Sequence, residues 1–250
     1  MLRYRIPLVL VVALGLACKQ QAPPSTTARR AAGPQVQATV VTIRTTIEPP
    51  KQTQTHAVMI VGDRARHTAE QDTWRLFDTK ANTITFIDDV AKTIRVEKLA
   101  DATRQRRAAI ASALPPHYPR LRLRATSTTK PLHGVNATQS IIEHGGYRRE
   151  LWLAEHPSIP KGLFAMIHAS APPSSPLAPM MRAVDEALLA TSGFPMLDRS
   201  EITYGNQKMV IERAVVSIEQ RSVAEGALAV PRDYEDITPK PAPPKKKKKS

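Results

Sequence analysis

The chain has 250 residues, 42% hydrophobic and 4% aromatic, with 22 prolines, 10 glycines and one cysteine, long enough to bury a sizeable core as one domain or two. A single thiol excludes a disulfide scaffold and any cysteine-based zinc cluster. The formal charge of +14 suggests a nucleic-acid binder until it is placed along the chain: residues 1–36 and 237–250 hold 11 of the 36 basic residues and none of the 22 acidic ones, so the interior is nearly neutral and no nucleic-acid partner is expected.

The first segment reads as a signal peptide over residues 1–17, with Arg3 and Arg5 as its basic start and Leu8 to Ala17 as its apolar stretch. About ten apolar residues are too few to cross a bilayer, which takes roughly twenty. Small Gly15 and Ala17 precede Cys18, a pattern that resembles the lipobox of bacterial lipoproteins, although Leu, Val or Ile is commoner where Gly15 stands. The resemblance implies acylation of Cys18; the other reading is cleavage after Ala17 with a free thiol. Residues 18–36 lack any apolar period and read as a flexible tether rich in Pro, Ala, Ser and Thr.

From Val36 to Leu99 the apolar pattern has period two, the mark of consecutive antiparallel strands. VQATVVTIRTTI and THAVMIVG flank Pro49-Pro50, and a ladder of TWRLFD, TITFID and TIRVEKL follows, its turns offered by Asp78 with Asn82 and by Asp88 with Asp89. Residues 100–114 form a helix ending at Pro115-Pro116, with Arg104, Arg106 and Arg107 read as its solvated face. RLRLR at 120–124 alternates strictly and predicts a strand with Arg120, Arg122 and Arg124 outward, as an aggregation guard on a sheet edge or a contact for anions.

VNATQSIIEH and YRRELWLAEH form a hairpin about Gly145-Gly146. KGLFAMIHAS and PLAPMMRAVDEALLATSGF carry apolar residues at helical spacing and predict two short amphipathic helices. Two strands divided by Gly205-Asn206 come next, and VPRDY ends the ordered chain with Tyr234 as its last anchor. One β-rich domain over residues 37–236 is expected, followed by a disordered Pro- and Lys-rich tail over 237–250. Its Lys245, Lys246, Lys247, Lys248 and Lys249 read either as a solubilising tail or as an electrostatic contact for anionic lipid, lipopolysaccharide or cell-wall polymer.

The ladder TWRLFDTKANTITFIDDVAKTIRVEKL, the hairpin GVNATQSIIEHGGYRRELWLAEH with Trp152, the GFP at 193–195 and VPRDY together resemble a bacterial envelope family, the domain of unknown function numbered 4412. That family is similar to the LolA and LolB lipoprotein carriers. The resemblance implies an α+β, mostly β fold: a curved antiparallel sheet forming an open half-barrel, with short helices covering its concave face and no catalytic residue. A concave apolar face must be covered by helices or filled by a ligand. The lid residues are then Leu163, Phe164, Met166, Ile167, Met180, Met181, Leu188 and Leu189, which serve either to receive acyl chains or simply to fill the core.

The seven histidines show no HExxH and no paired metal spacing, and His144 and His156 merely end strands. There is no GxSxG elbow, Walker A motif or GxGxxG. Asp88-Asp89 and Asp185-Glu186 are sequence neighbours that point in different directions, which makes poor acid/base pairs. No catalytic residue, metal or cofactor is expected. The sequence reading is therefore an envelope lipoprotein held by its acyl anchor, by default in the outer membrane facing the periplasm, with a non-catalytic domain for a lipid or other apolar ligand or for scaffolding. The rivals are an anionic-polymer binding module that uses the lysine run and an envelope hydrolase without a recognisable motif.

Overall fold

A computed structural model describes residues 34–68, 72–170, 179–189 and 191–239. The expected signal peptide, Cys18, nearly all of the tether and the Lys245–Lys249 run lie outside the described residues. Strand β1 (Gln35–Glu48) turns at Pro49-Pro50 into β2 (Gln52–Val61), and β3 (Arg64–Thr68), β4 (Thr73–Asp78), β5 (Thr83–Asp88) and β6 (Thr93–Lys98) continue a meander. The turns close as their residue types dictate: the Asp78 carboxylate accepts from the Ala81 amide at 2.7 Å, and that of Asp88 from Val90 and Ala91 at 2.9 and 2.8 Å. β3 is a strand that the sequence pattern does not announce, because Ala65 is its only apolar residue.

Helix α1 (Leu99–Ala113) follows, then β7 (Arg124–Leu132), β8 (Val135–His144) and β9 (Tyr147–Ala154) form a second meander. The β8–β9 turn uses Gly145 at φ +56° and Gly146, where a Cβ would stand 2.3 Å from the Thr203 carbonyl oxygen of the neighbouring strand. After helices α2 (Leu163–Ser170) and α3 (Pro179–Leu188) come β10 (Phe194–Tyr204) and β11 (Gln207–Ala224), and a 3-10 turn leads to the two-residue β12 (Glu235–Asp236). Order continues just past Tyr234: the Ile237 amide donates to the Ile94 carbonyl, and the Val96 amide to the Thr238 hydroxyl.

These strands make one open sheet in the order β12-β6-β5-β4-β3-β2-β1-β11-β10-β9-β8-β7, antiparallel throughout except β12 on β6. The two meanders join only through β1 and β11, in register from Gln35 opposite Ala224 to Glu48 opposite Val210, with a bulge at Thr42/Ile43. One face of the sheet carries the largest cluster, while on the first wing's other face Trp74, Leu76 and Ile87 are buried with Leu228. Val41, Val58, Ile60, Ala65, Phe77 and Ile84 from one wing and Met196 and Val215 from the other are buried in a cluster with Ala102 of α1 and Leu163 and Met166 of α2. A second cluster sets Val184 and Leu188 of α3 against Ile142, Tyr147 and Leu151. The fold is thus mostly β, with three helices among the described residues, none long and apolar enough to cross a membrane.

Two expectations are corrected. Arg120 to Leu123 are irregular, and β7 begins only at Arg124, opposite Ile141. This stretch leads from the end of α1 across Pro115, Pro116 and Pro119 to the sheet, and Leu121 and Leu123 pack toward α3 rather than into a strand ladder. The arginine row is therefore no edge guard. β7 protects its own edge with a register break between Ala125 and Thr129 and with Lys130 and Pro131. The second correction is Arg106, which is only 6% exposed while Arg104 and Arg107 face solvent. It shares an i, i+4, i+8 stripe with buried Ala102 and Ile110, so the helix period points it inward.

Replacing Phe77, fully buried where both wings meet the helices, by Ala should lower stability by about 3–5 kcal/mol in urea unfolding. The same change at Val90, 74% exposed at a turn, should stay within about 0.5 kcal/mol.

Candidate functional site

The loop after β9 and the segment before β10 bracket a cavity of ≈ 660 Å³. Its apolar wall is Ala154, Pro157, Ile159, Pro160, Phe164 and Phe194, and its polar lining includes His156, Lys161 and Thr191. The wall is built by turns: the Ile159 amide donates to the His156 carbonyl at 3.0 Å, and the Ser158 amide to His156 Nδ1 at 3.2 Å, which marks that nitrogen as an acceptor. Gly162 and Gly193 sit at φ +80° and +81°, so the chain reverses on both sides of the opening. Phe164 meets Phe194 edge-on at 6.4 Å and stacks on His168 at 6.0 Å between centroids. The Thr191 hydroxyl is buried without a partner among the described residues, and an exposed Lys161–Glu155 ion pair of 2.9 Å stands at the rim.

Of the eight lid residues read from the sequence, Phe164 alone lines this cavity. Leu163 and Met166 are buried in the larger core cluster, and Leu188 in the smaller one, where partly exposed Met180 and Met181 pack beside it. Ile167 packs against the larger cluster and Leu189 is half-exposed. The cavity comes chiefly from loop residues 155–162 and 191–193. No apolar period marks those positions, although the Pro157, Pro160, Gly162 and Gly193 breaks do mark turns.

Behind the cavity runs a charged seam that sequence reading missed. The Arg106 guanidinium lies 3.2 Å from an Asp185 carboxylate oxygen, each side chain only 4–6% exposed, which ties α1 to α3. His168 of α2 contacts the Asp185 backbone carbonyl through Nε2 at 3.1 Å, and Arg182 donates to the Ala109 carbonyl at 3.2 Å. Across the sheet, Arg149 grips Asp198 through two bonds of 2.8 and 2.7 Å, and Arg213 approaches the same carboxylate at 3.3 Å. Burial pushes the Asp198 carboxyl upward, but Arg149 and Arg213 outweigh it, so its pKa falls below the ordinary value. The same pair raises Arg149 despite its own burial. His168 is pushed down to about 4 by burial and by Arg106, against the opposing pull of Asp185. Its neutral ring and its buried, paired neighbours make the seam a structural device. Among the described residues, no group of three or more His, Cys, Asp or Glu is placed to hold a metal ion.

No family model and no curated protein matches the chain. Similar solved structures include PNGF-II in space groups P21 and C2, each with a TM-score of 0.43, at 11% and 10% identity, covering 82% of this chain and 32% and 31% of those chains. The chain spans about a third of the length of these neighbours.

Asp185→Ala should cost about 3–5 kcal/mol, because it strands a buried guanidinium, and Asp185→Asn should recover part of that loss; urea midpoints of the three proteins test this. Stability should also fall with acid. His67 and His168 both have folded pKa values depressed to about 4, so between pH ~6.5 and ~4 the unfolded chain binds more protons than the native one. Unfolding midpoints should drop across that window, and less steeply in His168→Gln, where His67 still contributes.

Proposed function

We propose that this chain is a lipid-anchored protein of the bacterial envelope whose non-catalytic domain accepts an acyl chain or similar apolar group in the cavity beneath Phe164. The cavity carries the reading. Its ≈ 660 Å³ falls within the roughly 300–1,000 Å³ of small-molecule sites, and an apolar wall with a few polar groups is the usual lining of such sites. Phe164 and Phe194 supply large apolar surface at the opening, while Lys161 and the buried Thr191 hydroxyl offer polar contacts to a headgroup. The half-barrel form implied by the resemblance to the LolA and LolB carriers agrees with an open sheet whose two wings share one core around the helices. Cys18, with its lipobox-like approach, provides the anchor in this reading, and the Lys245–Lys249 run provides attraction to anionic lipid, worth about 1 kcal/mol per lysine near such a surface.

Filling the opening tests the pocket without disturbing the core. Ser192→Trp, at an exposed lining position, should cut the affinity for a fluorescent fatty-acyl probe at least tenfold while leaving the urea midpoint unchanged. Wild-type protein that takes up no probe ends the proposal. Cys18→Ser should abolish palmitate labelling and pelleting with membranes in high salt, because each buried acyl CH₂ contributes about 0.8 kcal/mol to membrane binding. Unchanged labelling refutes the anchor.

A further inference from the structure

A second cavity, of ≈ 330 Å³, adjoins the Phe164 cavity, with Pro157 and Pro160 in the walls of both. Its floor is the β1–β11 seam. Thr39 stands opposite Gln220 across the seam and opposite Ile60 of β2 on its other side, and Gln37 lies two residues along β1 on the same face. Gln220 Nε2 donates to Thr39 Oγ1 at 2.9 Å, which ties an exposed amide to a hydroxyl residue that is only 7% exposed. One wall is the β2–β3 turn, where Gly62 at φ +56° reverses the chain and the Asp63 carbonyl accepts from the Thr79 amide at 2.9 Å and the Thr79 hydroxyl at 3.0 Å. Another is the 157–160 loop, held by the bonds of the Ser158 and Ile159 amides to His156.

The lining is polar but not cationic. Among the described residues no Lys or Arg lines this cavity, and its one charged group is the Asp63 carboxylate. The side chains of Asp63, Gln37 and Ser158 make no hydrogen bond or ion pair with another described residue, although all three line the same space. A phosphate or carboxylate would meet only like charge there. An ammonium group has donors and no acceptor, so it would match Asp63 and leave the glutamine N–H groups without a partner. A ring that carries several hydroxyls matches both kinds of group: its O–H groups donate to Asp63 and the glutamine Oε1 atoms, and its oxygens accept from the glutamine amides and the Thr39 and Ser158 hydroxyls. Ile60, Pro157 and Pro160 offer apolar surface to its C–H face. The volume stands at the lower end of the roughly 300–1,000 Å³ of small-molecule sites, which suits one such ring.

We propose that this cavity binds a neutral sugar or polyol group through Thr39, Gln220, Gln37, Asp63 and Ser158, with the Asp63 carboxylate accepting from two neighbouring hydroxyls. Such a group arrives either as a free sugar or as the headgroup of a glycolipid. In the second case the shared walls at Pro157 and Pro160 set the headgroup beside the cavity proposed for the acyl chain. The site stands on its own residues and does not depend on an acyl ligand.

The test is nitrogen–proton correlation NMR of the full chain, following the Ser158 backbone amide and the Gln37 and Gln220 side-chain amides. The chain is titrated with methyl β-D-glucopyranoside, with octyl β-D-glucopyranoside below its micellar concentration, and with octanoate and ethanolamine hydrochloride as controls. Saturable shifts with both glucosides assign a free sugar ligand, and saturation by octyl glucoside alone assigns a glycolipid headgroup. Octanoate or ethanolamine matching the glucosides, or no shift from either glucoside, overturns the proposal. Thr39→Val and Gln220→Ala should each weaken glucoside binding at least fivefold. Should Thr39→Val fail to fold, Gln220→Ala at its exposed position decides alone, and wild-type glucoside affinity in that folded variant overturns the proposal. Gln220→Ala should leave uptake of the fluorescent fatty-acyl probe unchanged, and Ser192→Trp should leave the methyl glucoside titration unchanged, which separates failure here from failure of the acyl-pocket reading.

Discussion

The antiparallel pairing of β1 with β11 is the constraint on which the other features depend. Each meander closes locally through short turns, but their faces become one surface only when the first strand finds the last long one, some 180 residues further along the chain. Loop closure over such a distance carries a large entropic cost before any contact repays it. The long register supplies the return, and the bulge at Thr42/Ile43 re-aims the strand midway. Once this seam forms, Val41 and Val215 share one core, and the helices have a common surface to cover.

Electrostatics then decides how the helices sit. Two buried carboxylates, Asp185 between α1 and α3 and Asp198 between β9, β10 and β11, each hold arginines that would otherwise be stranded in a low-dielectric interior. Desolvating such ions costs several kcal/mol each, so these pairs are poor net stabilisers and strong directional constraints. Apolar burial alone would let α3 slide along the sheet. The Arg106–Asp185 pair, the Arg182 bond to the Ala109 carbonyl and the His168 contact allow one arrangement.

The result is a sheet face with graded chemistry. At the end where α2 begins, loops enclose an apolar cavity with a polar rim. Further along, the same face passes through buried Phe77 and Ile84 to a row that carries His67, Arg75, Phe86 and Arg95.

Much of the fold was legible in the sequence because local physics writes it there. The Asp78 and Asp88 turns, the Gly145-Gly146 and Gly205-Asn206 hairpins, helix α1 and the two later helices all follow from side-chain chemistry or apolar period within a few residues. β3 and the residues it carries were not legible: with Arg64, Arg66 and His67 around a lone Ala65, its apolar signal is nearly absent, and only pairing with β2 and β4 makes it a strand. Arg106 was half legible, since its place in the Ala102–Ile110 stripe points inward, but the partner that makes burial tolerable lies on α3. Arg120 to Leu123 show the converse, an alternating pattern left without a strand partner to pair with. The sequence by itself determined the turns, the strand-rich class and the helix positions, because those depend on neighbours within about ten residues. Only the tertiary structure decided the β1–β11 seam, the buried ion pairs and the loop-built cavity, because each joins residues whose proximity no local pattern encodes.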